Sequence, residues 1–150
     1  MIKKLVIFGV GLIGGSLALA LRQAGYCETI VGCSRNAAHL QQAVDLGVID
    51  SFTLDPQEAV RDADMVLLAV PMGAMGALLQ QIKPALPADA ILTDAGSTKG
   101  SVVAEVSQVF GADYARFVPG HPIAGREKSG VEAAIPDLYQ NRRVILTPLA

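Results

Sequence analysis

The sequence predicts an α/β domain: a doubly wound, mainly parallel sheet with helices on both faces. Three observations carry this. Short apolar runs of strand length alternate with longer stretches of helical periodicity from the first residues onward. No tight-turn signature joins one apolar run to the next, so crossovers are expected in place of hairpins and the strands should run parallel. Of the 150 residues 51% are hydrophobic and 17% charged, a balance that suits a sheet buried on both faces. At this length one domain with a substantial core is expected.

The first element organises the rest. Val6-Ile7-Phe8 runs into Gly9-Val10-Gly11-Leu12-Ile13-Gly14, three glycines spaced G-x-G-x-x-G, and Leu12 to Leu21 carries the apolar stripe of a helix. Gly9 permits a tight turn, Gly11 lets the backbone approach a pyrophosphate, and Gly14 lets helix and strand pack closely. The helix start, with Leu12 and Ile13 between the glycines, offers N–H groups and a positive dipole end to a phosphate. Strand, glycines and helix in this order imply a Rossmann-type dinucleotide site at Gly9, Gly11, Leu12, Ile13 and Gly14. A competing reading of Lys3-Lys4, the apolar run and Ala18-Leu19-Ala20 is a secretory signal. The glycines interrupt that run, and cleavage after Ala20 would delete the first strand of a fold that the chain goes on building. The segment is also short for a membrane helix. It reads as a core strand and helix of a cytoplasmic protein.

Thr29 to Cys33 is the second strand, and Ala37 to Leu46 the second helix, with Asn36 as a candidate cap and Gly47 as its stop. NAD enzymes usually place Asp or Glu after this strand, on the ribose 2′-hydroxyl. Here Ser34 and Arg35 stand instead. A hydroxyl beside a guanidinium suits a 2′-phosphate, because arginine matches phosphate oxygens in a fork. NADP is therefore favoured and NAD is the alternative; an arginine merely facing solvent at a strand end is the competing reading. His39, mid-helix in a polar stretch, is read as solvated.

Val48 to Phe52 is expected as a short strand. Asp55-Pro56-Gln57-Glu58 has the cap, first-turn proline and acidic third residue of a helix start. Met65 to Val70 is a buried strand, and Pro71 ends it at the edge where cofactors lie in open α/β sheets, so Val70 and Pro71 join the candidate cofactor residues. Met72 to Leu86 is a helix in which Met72 and Met75 are packing residues. Ala90 to Thr93 is the next strand. It opens into Asp94-Ala95-Gly96-Ser97-Thr98-Lys99-Gly100 and a helix from Ser101 to Phe110. Ser97 has two readings, a helix cap and a site residue at the crevice. His121 lies in Pro119-Gly120-His121-Pro122, read as a rigid turn that suits a functional histidine, although an exposed turn histidine is also open.

The formal net charge is −2 and no basic run occurs, so nucleic acid and anionic membranes are poor partners. Cys27 and Cys33 have neither CxxC nor metal-ligand spacing and read as reduced packing residues. No cluster of metal ligands is present in the sequence, and a small molecule is the expected substrate.

With these segments in view, the chain resembles the prephenate and arogenate (cyclohexadienyl) dehydrogenase family. The resemblance runs from G-V-G-L-I-G-G-S through D-A-G-S-T-K-G and G-H-P-I-A-G-R-E-K-S-G to V-I-L-T-P. It implies oxidative decarboxylation of prephenate to 4-hydroxyphenylpyruvate, or of arogenate to tyrosine. It further implies that His121 hydrogen-bonds the ring 4-hydroxyl and takes its proton, and that Ser97 orients that pair. Glu127 would help gate the substrate pocket, and Lys99 would support the nicotinamide end. Members of the family continue past V-I-L-T-P into a helical domain that dimerises and grips the substrate's ring carboxylate. On that resemblance residues 1–150 are expected to be the dinucleotide-binding half of a homodimeric enzyme.

Overall fold

The computed structural model describes residues 1–95, 99–111, 114, 116–118, 120–123 and 143–146. In chain order the elements are β1 (Ile2–Phe8), α1 (Leu12–Ala24), β2 (Cys27–Cys33), α2 (Ala37–Asp45), β3 (Ser51–Thr53), α3 (Pro56–Val60) and β4 (Met65–Leu68). There follow α4 (Met72–Ile82), β5 (Ile91–Asp94), α5 (Lys99–Phe110), β6 (Phe117–Val118), β7 (Gly120–Ile123) and β8 (Arg143–Leu146). Strands β1 to β6 form one sheet in the order β3-β2-β1-β4-β5-β6, and every pairing in it is parallel. The chain winds outward in one direction through β2 and β3, then returns past β1 and winds the other way. That reversal makes the doubly wound fold the sequence predicts.

The alternation of β1 explains the two layers. Val6 and Phe8 point into a core shared with Val60 of α3, Leu79 and Ile82 of α4 and Val106 of α5. Leu5 and Ile7 point the other way, into a core with Ala18 of α1 and Leu40 and Ala43 of α2. All four are at most 2% exposed, so the run is apolar throughout because both faces are covered. A strand paired on both sides and buried on both faces is a core element, and the signal-peptide reading of this segment is set aside. Among the described residues no helix is long and apolar enough to cross a membrane.

Two expectations change. Val48 and Ile49 are buried as a strand would bury them, but β3 begins only at Ser51; Asp50 intervenes, its carboxylate accepting the Ile30 N–H (2.7 Å) and pairing with Arg22 (3.1 Å). Burial works to raise the Asp50 pKa, and the Arg22 hydrogen bond, the Ile30 N–H and the Arg22 charge together outweigh it and hold it low. The second change is at His121, which lies in β7 and not in a turn. There β7 pairs antiparallel with β8, His121 opposite Ile145 and Pro122 opposite Val144. Pro122 brings no N–H of its own to this two-stranded pair. The absence of a hairpin signature misled here because the two strands lie far apart in sequence, with no tight turn between them to read.

Candidate functional site

The carboxyl ends of β1, β2 and β4 converge where the strand order reverses. The turn after β1 is built by sterics. Gly9 has φ +90°, a conformation that side chains rarely adopt, and a Cβ there would collide with the Ala69 carbonyl. Its N–H donates to the Cys33 carbonyl (3.2 Å), while the Ala69 N–H donates to Phe8 (2.8 Å), so the turn is tied to both neighbouring strand ends. At Gly14 a Cβ would stand 2.6 Å from the Gly9 carbonyl oxygen and 2.9 Å from an Ile7 methyl; this glycine lets α1 lie against β1. Gly11 differs from both. A Cβ there would meet no described atom within 4 Å.

Gly11 is also the residue before the first turn of α1, where no described side chain caps the helix and no acidic residue occupies the first turn. Open space beside Gly11 at the start of a helix is the surface that a pyrophosphate needs. Ile13 continues that first turn, and of Leu12 the structure describes the backbone only. These residues fit the phosphate part of a dinucleotide.

Beside the turn lies an open cavity of about 570 Å³. It brings together five of the residues predicted for the cofactor: Gly9, Ser34, Arg35, Val70 and Pro71. The rest of its lining comes from the ends of β1 and β2 and from α2, the β3–α3 connection and α4, including Asn36, His39, Leu54, Ala74, Leu78 and Gln81. Gly11, Leu12, Ile13 and Gly14 belong to the adjoining helix start and not to the cavity wall.

The rim after β2 is held by short-range hydrogen bonds. Ser34 Oγ accepts from the Asn36 N–H (3.2 Å), and Asn36 Oδ1 accepts from the His39 N–H (3.0 Å), capping α2. No carboxylate lines the cavity among the described residues. The nearest acids, Asp55 and Glu58, are engaged elsewhere: Asp55 caps α3 through the Gln57 N–H (3.0 Å), and Glu58 accepts from Thr53 Oγ1 (2.9 Å). Arg35 is exposed and has no ion-pair partner among the described residues. Cys33 forms part of the floor, and burial, followed by the charges of Asp55 and Glu58, pushes its thiol up to about 11. It is a neutral, inert wall residue at ordinary pH.

The sequence reading missed His39, Leu54 and Gln81. Leu54 and Gln81 carry no local signal, since their place depends on how α3 and α4 stand over β2. His39 carried none either: Arg35 precedes the cap Asn36 and lies outside α2, so helical spacing does not relate the two.

The predicted substrate residues are placed less fully. Asp94 ends β5 with 3% exposure, and Lys99 opens α5. His121 is in β7, which touches β5. Ser97 and Glu127 lie outside the described residues.

Residues 17–150 match the family described as prephenate dehydrogenase, nucleotide-binding domain. The chain belongs to this family. A cyclohexadienyl dehydrogenase of Zymomonas mobilis is 39% identical over 150 residues, covering 97% of this chain and 49% of that protein. A prephenate dehydrogenase of Lactococcus lactis is 40% identical over 146 residues, covering 97% of this chain and 41% of its own length. Among solved structures, prephenate dehydrogenase from A. aeolicus in complex with hydroxyphenyl propionate and NAD+ superposes with a TM-score of 0.89 at 39% identity, over 99% of this chain and 51% of that one. Arogenate dehydrogenase from Synechocystis gives 0.86 at 32% identity, over 97% of this chain and 50% of that one. This chain thus spans about half the length of such relatives. The family match begins at residue 17, beyond the glycines, so the phosphate turn stands on its own geometry.

Proposed function

We propose that this chain is the NADP-binding half of a dehydrogenase that oxidatively decarboxylates prephenate to 4-hydroxyphenylpyruvate, or arogenate to tyrosine. The observation that carries the cofactor choice is the cavity rim: Ser34 and Arg35 stand where an acidic residue would bind a ribose 2′-hydroxyl, and no described carboxylate lines the cavity. A 2′-phosphate would meet the Arg35 guanidinium there, while Gly9, Gly11 and the start of α1 would hold the pyrophosphate. Val70 and Pro71 would line the path from one to the other. The nicotinamide, when bound, supplies a hydride acceptor.

The chain's own part in the chemistry rests on the family resemblance. His121 accepts the proton of the substrate's ring hydroxyl, a task suited to a group that titrates near neutrality. Ser97 orients that hydroxyl and the imidazole, Lys99 supports the nicotinamide end, and Glu127 helps gate the pocket. Loss of hydride to the cofactor and of the proton to His121 leaves a ring carbonyl; the opposite carboxylate departs as carbon dioxide, its bonding electrons make the ring aromatic, and the resulting phenolate takes the proton back from His121. The full enzyme works as a cytoplasmic homodimer whose second half encloses the substrate. NAD is the second reading, favoured by the NAD+ in the A. aeolicus structure.

Calorimetric titration of the chain with NADP and NAD tests the cofactor. Binding of NADP at least tenfold tighter supports the proposal, and equal or tighter NAD binding overturns that choice. An assay with prephenate and arogenate tests the chemistry in a protein carrying both halves. There His121→Asn should lower turnover by roughly 10²–10⁴, the range for a general base; turnover within a few-fold of normal would remove His121 from the mechanism.

A further inference from the structure

The cavity rim holds a second basic residue besides Arg35. His39 is half-buried at the third residue of α2, its backbone fixed by Asn36 (3.0 Å), and it lines the same cavity as Ser34 and Arg35. Among the described residues its imidazole has no hydrogen-bond or ion-pair partner. A half-buried histidine, positioned by a cap at the cavity lining and without a partner among the described residues, is free to bind a ligand group.

We propose that His39 is a specificity-determining residue: as imidazolium it pairs with the 2′-phosphate of NADP alongside Arg35, and as neutral imidazole it releases that contact. This rests on the NADP reading above. A dianionic phosphate at this rim would face one permanent cation, Arg35, and one conditional cation, His39. The charged and titratable groups on the described elements around His39 are these. On its own segment there is Arg35, and Asp45 at the far end of α2 is occupied by Gln41 (3.0 Å). From β2 there is the neutral Cys33 thiol, and from the β3–α3 side Asp55 and Glu58, both already accepting hydrogen bonds. Histidine changes charge between about pH 5 and 8, so preference for a 2′-phosphorylated nucleotide should rise as pH falls through that interval. Phosphate monoesters also take up a proton near pH 6, so the variant must be compared with the unmutated chain at each pH.

The test uses two probes, 2′,5′-ADP and 5′-AMP, which differ only in the 2′-phosphate, titrated calorimetrically at pH 6.5 and 8.5. His39→Gln keeps a polar side chain of similar reach without the switchable charge. It should weaken 2′,5′-ADP by roughly two- to fivefold at pH 6.5, the range of a solvent-accessible ion pair, with little effect at pH 8.5 and none on 5′-AMP. Equal loss of both probes would make His39 a structural residue, and no loss at either pH would remove it from the site; either result overturns the inference. Arg35→Ala is run beside it. If Arg35→Ala weakens 2′,5′-ADP while His39→Gln does nothing, the NADP reading stands and only His39 is wrong. If the unmutated chain does not distinguish the two probes, the NADP reading has failed and takes this inference with it.

Discussion

Two segments meet at the carboxyl edge of the sheet and are specified in opposite ways. In the glycine turn after β1, packing leaves almost no choice: Gly9 is pinned against the Ala69 carbonyl and Gly14 against Gly9 and Ile7. In the rim from Ser34 to His39, backbone geometry is ordinary and the side chains are exposed or half-buried, so chemistry and not shape selects the residues. The difference has a physical sense. On the proposed reading the pyrophosphate, common to both nicotinamide cofactors, would meet backbone that the fold itself fixes. The 2′ position, which tells them apart, would meet side chains that could change without disturbing the core. Binding strength and binding preference would then be separable properties of neighbouring segments.

The largest effect should come from Gly9→Ala. A side chain at φ +90° costs about 1–3 kcal/mol in strain alone, and the clash with the Ala69 carbonyl adds to it. We expect a loss of about 3 kcal/mol or more in denaturant unfolding, with affinity for NADP and NAD lost together. If stability holds within about 1 kcal/mol, the turn is more pliant than its packing implies and the contrast between the segments weakens. Arg35→Ala comes next. It should weaken NADP by roughly ten- to a hundredfold, the range for a hydrogen bond to a charged group, and leave NAD and the unfolding midpoint where they are. An equal effect on both cofactors would show that the rim reads something other than the 2′-phosphate. The smallest effect is predicted for Gly11→Ala, since φ is −115° and the space beyond is open. Stability should be unchanged, while both cofactors weaken alike, by about tenfold, because the new methyl stands between backbone and phosphate. A change in the NADP/NAD ratio would place the 2′ contact nearer the helix start than the rim.

How much of this could be read in advance follows the same division. The glycine turn was legible because its backbone demands exclude other residues, so the spacing of Gly9, Gly11 and Gly14 is itself the structural statement. The strands were legible as apolar runs, although Asp50 displaced the start of β3 by binding Ile30 and Arg22, a long-range choice that no local pattern announces. Ser34 and Arg35 were singled out by what was missing, an acid at the end of the second strand, and they line the cavity. His39 was taken as solvated because a histidine in a polar helix has no periodic signature, and only the stance of α2 against the cavity reveals it. His121 was expected in a turn because of the prolines beside it. Its pairing with Ile145 depends on a distant strand that carries no mark of its partner.

The central position of β1 has a consequence in time. One edge of this strand pairs with β2, which follows closely in sequence, and the other with β4, beginning at Met65. Closing the longer connection costs more chain entropy and comes later on average, and a chain emerging from a ribosome delivers its N-terminal end first. The glycine turn is therefore synthesised before β4 and α4, yet it cannot take its final form until Ala69 arrives to hold Gly9 and α4 brings the far wall of the cavity. For this domain the capacity to bind a nucleotide is a clock, started by β1 and stopped once β4 and α4 are in place.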